Sequence, residues 1–223
     1  MTTETTEPPG TDGVTTGDVL SAYVGARASQ LQSRYGQDEA KAVAALARLR
    51  RAMTSDGRLN PQVWDVFDEM PPKLIWERDE PSPAERAAIA ALTLFATHQQ
   101  SRRDKGMHHG GHSHSLGRAM ATLSRGSEGQ GVTERFRALT RASDLTSVLS
   151  HLRALVTRLR GARIPLDYAA LAKDLYDLQF PGGMDSVRIR WIRDFHRPVR
   201  AEADSPATDT ATTTDPTDSG DDA

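Results

Sequence analysis

The amino-acid sequence predicts an all-α protein in which two packed helical bundles lie between disordered acidic tails. Apolar residues recur at helical spacing along the middle of the chain, helix-capping residues precede these segments, and no segment finds a second one to pair with as a strand. The predicted organisation is a disordered tail at 1–16, an N-terminal bundle at 17–100, a His-rich loop at 101–114, a C-terminal basic bundle at 115–200 and a disordered acidic tail at 201–223. Both tails lack the apolar residues that a packed core requires.

Four to five helices are predicted in the N-terminal bundle. The first runs from Asp18 to about Tyr35, and the second has Asp38 as its cap. Asn60-Pro61 joins a capping residue to a proline at the first helical position, which predicts a third, short helix. Ser82-Pro83-Ala84-Glu85 adds a capping box to the same proline signal, so the fourth helix has the strongest start.

The segment from Ser115 to Ala142 is the most informative about function. It is predicted to form two short helices joined by a Gly-rich loop, with arginine recurring at helical spacing on both. Arg118 and Arg125 are seven residues apart and therefore share one face of the first helix. Arg137 and Arg141 are four apart and share a face of the second. The segment offers fixed positive charge on a rigid support, which suits a polyanion.

Three further helices are predicted toward the C-terminus. Asp144 caps one with a continuous apolar seam, which Gly161 is predicted to end. Asp167 caps the next. Residues 187–195 alternate like a strand and also repeat at helical spacing, and the presence of Asp185 as a cap favours the helix.

Charge is segregated along the chain, although the net charge is only −2. Eleven of the 30 acidic residues lie in residues 1–18 and 201–223, where there is no Lys or Arg, so residues 19–200 carry all 28 basic residues against 19 acidic ones. A basic body of this kind indicates a polyanionic partner.

Composition excludes several classes of protein. There is no cysteine, which excludes disulfide frameworks, thiolate chemistry and Cys-type zinc sites. No apolar run approaches the roughly 20 residues that span a bilayer, and the N-terminus does not have the pattern of a secretory signal. We therefore expect a cytoplasmic protein that has no membrane partner, no catalytic residue and no cofactor.

The His-rich loop carries His108, His109, His112 and His114 among glycines. Such a cluster can ligate a metal, but a metal centre needs groups that orient its ligands and an element that holds them. A Gly-rich loop offers neither, so the sequence predicts a mobile loop without a metal site.

The candidate binding residues are arginines, because the planar guanidinium group suits phosphate. Their contacts would be electrostatic and would hold the nucleic-acid backbone without reading bases. The candidates are Arg50, Arg51, Arg102, Arg103, Arg118, Arg125, Arg135, Arg137, Arg141, Arg153, Arg190 and Arg193.

The order of these segments carries a family resemblance. The matching segments are SLGRAMATLSR (115–125), ERFRALTRASD (134–144), LSHLRALVTRL (149–159), IPLDYAALAKDLYDLQF (164–180), VRIRWIRDF (187–195) and, more weakly, ALARLRRA (45–52). Together they resemble the CasB-type small subunit of the type I-E CRISPR surveillance complex, Cascade. The resemblance spans about 19–197; the His-rich loop and the acidic tails depart from it.

The resemblance implies a non-enzymatic, all-helical protein present as two copies in the complex. It further implies that these copies lie along the guide RNA and target DNA and help to hold the R-loop open. The expected partners are therefore the CRISPR guide RNA, the target DNA, the backbone and large subunits of Cascade, and a second copy of this chain.

Two alternative functions are weighed against this one. A stand-alone helix-turn-helix regulator would need a short turn and base-reading Asn or Gln, whereas the predicted loop at 126–132 is long and the helix after it offers arginine. A metal-dependent hydrolase would use the histidines, but no HExxH motif and no cluster of acids spaced for two metal ions accompanies them. Both are therefore less favoured.

Overall fold

The computed structural model confirms the all-α prediction. It describes residues 14–52, 67, 69–76, 78–126 and 129–197. The helices of this part are α1 (Thr16–Gly36), α2 (Ala40–Arg51), α3 (Pro83–Gln99), α4 (Leu116–Ser124), α5 (Gly129–Arg141), α6 (Leu145–Ala162), α7 (Tyr168–Asp177) and α8 (Gly183–His196). No helix in these ranges is long and apolar enough to cross a membrane.

Helix α3 lies at the centre of the fold. Its small side chains, many of them alanine, allow neighbouring helices to approach closely, and almost every residue from Ala84 to Gln99 is buried. It packs against α1, α2, α6 and α7, while α1 also packs along α7. Helices from before and after the His-rich loop therefore contribute to a shared core.

The predicted capping residues of α3, α6 and α7 are confirmed. The Ser82 hydroxyl accepts a hydrogen bond from the backbone N–H of Glu85, and Asp144 and Asp167 accept from residues three positions later. The helical interpretation of residues 187–195 is also confirmed, since all of them lie in α8.

Three predicted helix ends are wrong. Asp38 does not cap α2: its backbone has φ of 60° and its carboxylate pairs with Arg103 at 2.7 Å, while Glu39 precedes the helix. Asp185 does not cap α8, which starts after the left-handed Gly182. Gly161 does not end α6, which continues to Ala162.

The start of α1 also corrects a boundary, because the disordered tail was predicted to reach residue 16. Thr15 caps α1, and its hydroxyl and the carboxylate of Asp18 form a reciprocal capping box. The remainder of that tail, the acidic C-terminal tail and the short helix predicted after Asn60 lie outside the described residues, apart from Phe67, Glu69 and Met70.

The His-rich loop is packed into the fold, and the interpretation as a loose loop is wrong. Met107 is fully buried and His108 is 6% exposed. The side-chain amide of Gln32 accepts from the backbone N–H of His108 and donates to its carbonyl, each at 3.0 Å. The Leu166 N–H donates to the Met107 carbonyl at 3.0 Å, so the loop runs between α1 and the start of α7.

Candidate nucleic-acid interface

Helices α4, α5 and α8 pack against one another at one corner of the molecule. Helix α4 meets α8 at Gly117, where an added Cβ would lie only 2.6 Å from the Asp194 Cβ. Helix α5 meets the end of α8 through Phe136 and Phe195, whose rings stack with centroids 4.7 Å apart. The apolar residues Leu116, Met120, Phe136 and Leu139 of α4 and α5 are all buried.

Four of the candidate arginines form what we call the exposed arginine group: Arg125, Arg137, Arg141 and Arg193. They lie at the C-terminal cap of α4, on α5 and on α8, and all four are exposed. Within the described residues none of the four forms an ion pair, so their charge faces solvent. Arg137 and Arg141 share one face of α5, as predicted.

Arg190 has a different environment, in which its guanidinium group already forms ion pairs within the fold. Its guanidinium contacts the carboxylates of Asp174 at 2.6 Å and Asp177 at 3.1 Å. The Asp174 carboxylate also accepts from the indole N–H of Trp191 at 2.6 Å. Burial raises the pKa of Asp174, although the hydrogen bonds from Arg190 and Trp191 oppose this rise. Arg190 therefore joins α7 to α8.

Arg102 and Arg103 are likewise engaged within the fold. Arg102 donates to the carbonyl of Arg160 near the end of α6, at 3.0 Å. Arg103 pairs with Asp38, and its guanidinium lies 5.3 Å from the ring centroid of Tyr35. Both residues join the His-rich loop to neighbouring helices.

The remaining candidates have intermediate positions. Arg118 and Arg153 are half-buried and each makes an interaction within the chain. Arg51 and Arg135 are exposed and donate to carbonyls one helical turn earlier, while Arg50 is half-buried on α2. The structure thus brings four of the twelve candidates to solvent without an ion pair or hydrogen bond in the described chain and assigns several others to the fold.

A second basic feature, which was not predicted from the sequence, is a groove between α1 and α2. It has a volume of about 680 Å³, and its cationic lining residues are Arg27, Arg34, Lys41 and Arg48. Two pairs of cations spaced by seven residues, one pair on each helix, are visible in the sequence and would have indicated this groove.

Two histidines, His98 before the His-rich loop and His108 within it, lie in the core. His98 is fully buried, and burial lowers its pKa to about 3, so the ring is neutral. Its Nδ1 lies 2.9 Å from the hydroxyl of Tyr168, and the backbone N–H of Tyr168 donates to Nδ1 of His108 at 3.2 Å. In the described ranges no group of three or more His, Asp or Glu side chains is arranged to hold a metal ion.

The connection between α4 and α5 is shorter than the loop predicted at 126–132, because α5 already begins at Gly129. Its length alone therefore does not distinguish this pair from a helix-turn-helix, whose turn has three or four residues. Family membership is a stronger criterion for deciding between a Cascade subunit and a helix-turn-helix regulator.

Comparison with known proteins gives that membership and confirms the resemblance. The sequence model of the family described as CRISPR-associated protein Cse2 matches residues 45–196. The crystal structure of CasB from Thermobifida fusca is similar over 80% of this chain and 98% of that chain, with 35% sequence identity and a TM-score of 0.66. No curated protein matches the sequence. Because the family match covers more than half of the chain, the chain belongs to the CRISPR-associated Cse2 family, that of the CasB-type small subunits of type I-E Cascade.

Proposed function

We propose that this protein is a non-catalytic small subunit of Cascade in antiviral defence, and that it stabilises the R-loop by holding the backbone of the guide RNA and target DNA. The proposal combines family membership with one observation: Arg125, Arg137, Arg141 and Arg193 present unpaired charge on three mutually packed helices. In the complex it would act beside other Cascade subunits and a second copy of itself, in the cytoplasm.

The mechanism is electrostatic. An arginine that neutralises a phosphate releases condensed counterions, and this release favours binding without reading the base sequence. R-loop formation exchanges a DNA duplex for a hybrid of similar stability, so backbone contacts worth a few kcal/mol shift the balance. A rigid helical corner suits this role, because the backbone that carries its arginines is already ordered before binding.

Arg137 and Arg141 are the residues with which to test this proposal, because they share a face of α5 and project away from the core. We expect Arg137→Ala/Arg141→Ala to weaken binding of any single strand and to reduce the magnitude of the salt slope by about 0.7 for each phosphate that is no longer neutralised. The measurement is a titration of a fluorescent single strand, and of an R-loop substrate with the assembled complex, at several salt concentrations.

The matched control is Arg137→Lys/Arg141→Lys, which keeps both charges. It should retain most of the affinity and the salt slope, because binding of this kind depends on charge. If the alanine variant binds both substrates with wild-type affinity and slope, Arg137 and Arg141 do not contact nucleic acid and the proposal loses the observation that supports it.

A further inference from the structure

The groove between α1 and α2 has two facing rows of cations. Arg27 and Arg34 lie on α1, and Lys41 and Arg48 lie on α2. The members of each pair are seven residues apart, so each row extends over two helical turns, about 10.5 Å. Glu69 is the acidic side chain that the described lining contributes.

Small side chains keep the groove open between these rows. The α2 side of the lining includes Ala42, Ala44 and Ala45, which do not fill the space between the two helices. On the α1 side, Arg27 donates to the side-chain oxygen of Gln30 at 2.7 Å, which orients its guanidinium group. Among the described residues, Arg34 has a long contact of 3.7 Å with Glu39, and its side chain remains half-exposed.

We propose that this α1–α2 groove binds the phosphodiester backbone of a nucleic-acid strand, as a contact separate from the exposed arginine group. The inference rests on the proposed function, because it assumes that the chain lies along nucleic acid. The two surfaces belong to different helices: α2 packs mainly on α1 and α3, whereas α5 packs mainly on α4 and α6.

A chain of phosphates fits the groove better than one small anion does. The four cations are distributed over two turns on both walls, so successive phosphates of one strand can contact both rows, whereas one small anion would leave part of each row without a phosphate. An acidic polypeptide is the competing ligand, and the test below separates it from nucleic acid.

The test is fluorescence anisotropy of a labelled oligo-dT strand with the full-length chain at several salt concentrations. The groove variant is Arg34→Gln/Lys41→Gln, which removes one exposed cation from each wall. Each phosphate of a single strand that is neutralised contributes about 0.7 to the salt slope, so each is worth about 5-fold in affinity at 0.1 M salt. We expect binding to weaken by roughly 25-fold and the slope to fall by about 1.4.

Two further variants complete this test: one is a matched control, and the other should change the affinity in the opposite direction. Arg78→Gln/Arg163→Gln removes two exposed cations outside both surfaces and should bind within about twofold of wild type, since distant exposed charges are screened. Glu69→Gln removes the acid from the groove and should strengthen binding by a few-fold. Circular dichroism should show the same helix content for every variant.

The outcomes separate this inference from the proposed function. If the groove variant binds like Arg78→Gln/Arg163→Gln while Arg137→Ala/Arg141→Ala weakens binding, the groove does not hold nucleic acid and the proposed function stands. If neither surface matters, both proposals fail. A groove that serves an acidic polypeptide would also leave oligo-dT binding unchanged in the groove variant, and this result refutes the inference.

Discussion

Substitution of Gly117 by alanine tests whether α4 and α8 meet backbone to backbone. An added Cβ would lie 2.6 Å from the Asp194 Cβ, 2.8 Å from the Phe195 backbone nitrogen and still closer to the Trp191 carbonyl oxygen. Carbon atoms in contact normally lie about 3.5–4.0 Å apart. Because backbone atoms cannot rotate away as a side chain would, the two helices must separate by about 1 Å.

The cost follows from this separation. Overpacking a tight contact destabilises proteins by about 1–3 kcal/mol, and a backbone clash belongs at the upper end of that range. Alanine regains roughly 0.5–1 kcal/mol as the better helix former, which leaves a net destabilisation of about 2 kcal/mol. For a chain of this size the melting temperature should fall by about 4–8 °C. Thermal unfolding followed by circular dichroism measures it.

Gly161 provides the matched control, because it is also a helical glycine but no heavy atom lies within 4 Å of its added Cβ. Gly161→Ala should keep or raise the melting temperature, since only the propensity gain remains. If Gly117→Ala proves as stable as Gly161→Ala, the close approach of α4 to α8 is incorrect.

Two further predictions concern charged groups. Arg190→Ala should destabilise the fold by about 1–2 kcal/mol, because it leaves the buried carboxylate of Asp174 without its cation. This value lies between those for surface and buried ion pairs. Equal urea midpoints for Arg190→Ala and Arg137→Ala would contradict the prediction. His98 has a pKa of about 3 in the folded state, against 6.5 for an ordinary histidine. As the pH drops from 6.5 toward 3, the unfolded chain binds a proton at His98 before the folded chain does, so the folded state loses stability over this range. Between pH 7 and pH 5 this amounts to about 2 kcal/mol, and His98→Gln should lose that part of the pH dependence in urea unfolding; an unchanged pH dependence would show that His98 is not buried as a neutral ring.

Local signals predicted most of the fold. The capping boxes and Asx caps at Ser82, Asp144 and Asp167 act within three residues of their partners, so the sequence contains the whole interaction. The prediction that Asp38 caps α2 failed because the carboxylate of Asp38 pairs with Arg103, which is distant in the chain, and no local pattern indicates this contact. The prediction that Gly161 ends α6 failed because the left-handed residue that follows the helix is Arg163, and no glycine marks that position.

The candidate site was predictable only in part, for a related reason. Helical spacing correctly placed Arg137 and Arg141 together on α5. Spacing does not show whether a guanidinium group has an acidic partner on another helix, and this decides the difference between Arg193, which faces solvent, and Arg190, which is bound to Asp174. The two residues are neighbours on the same helix, and only the packing of α7 separates their roles.

Part of the positive charge serves the ends of helices, which changes what the charge balance implies about binding. Arg102 donates to the carbonyl of Arg160 near the end of α6, Lys105 donates to that of Arg163, and Arg188 donates to that of Ala142 after α5. A cation at the end of a helix donates to a carbonyl there and complements the helix dipole. The 28 basic residues therefore overstate the charge available to phosphate. If the exposed arginine group and the four groove cations bind the phosphates, the salt slope on a single strand should be about −6. This slope is much shallower than the slope that the total number of basic residues would give.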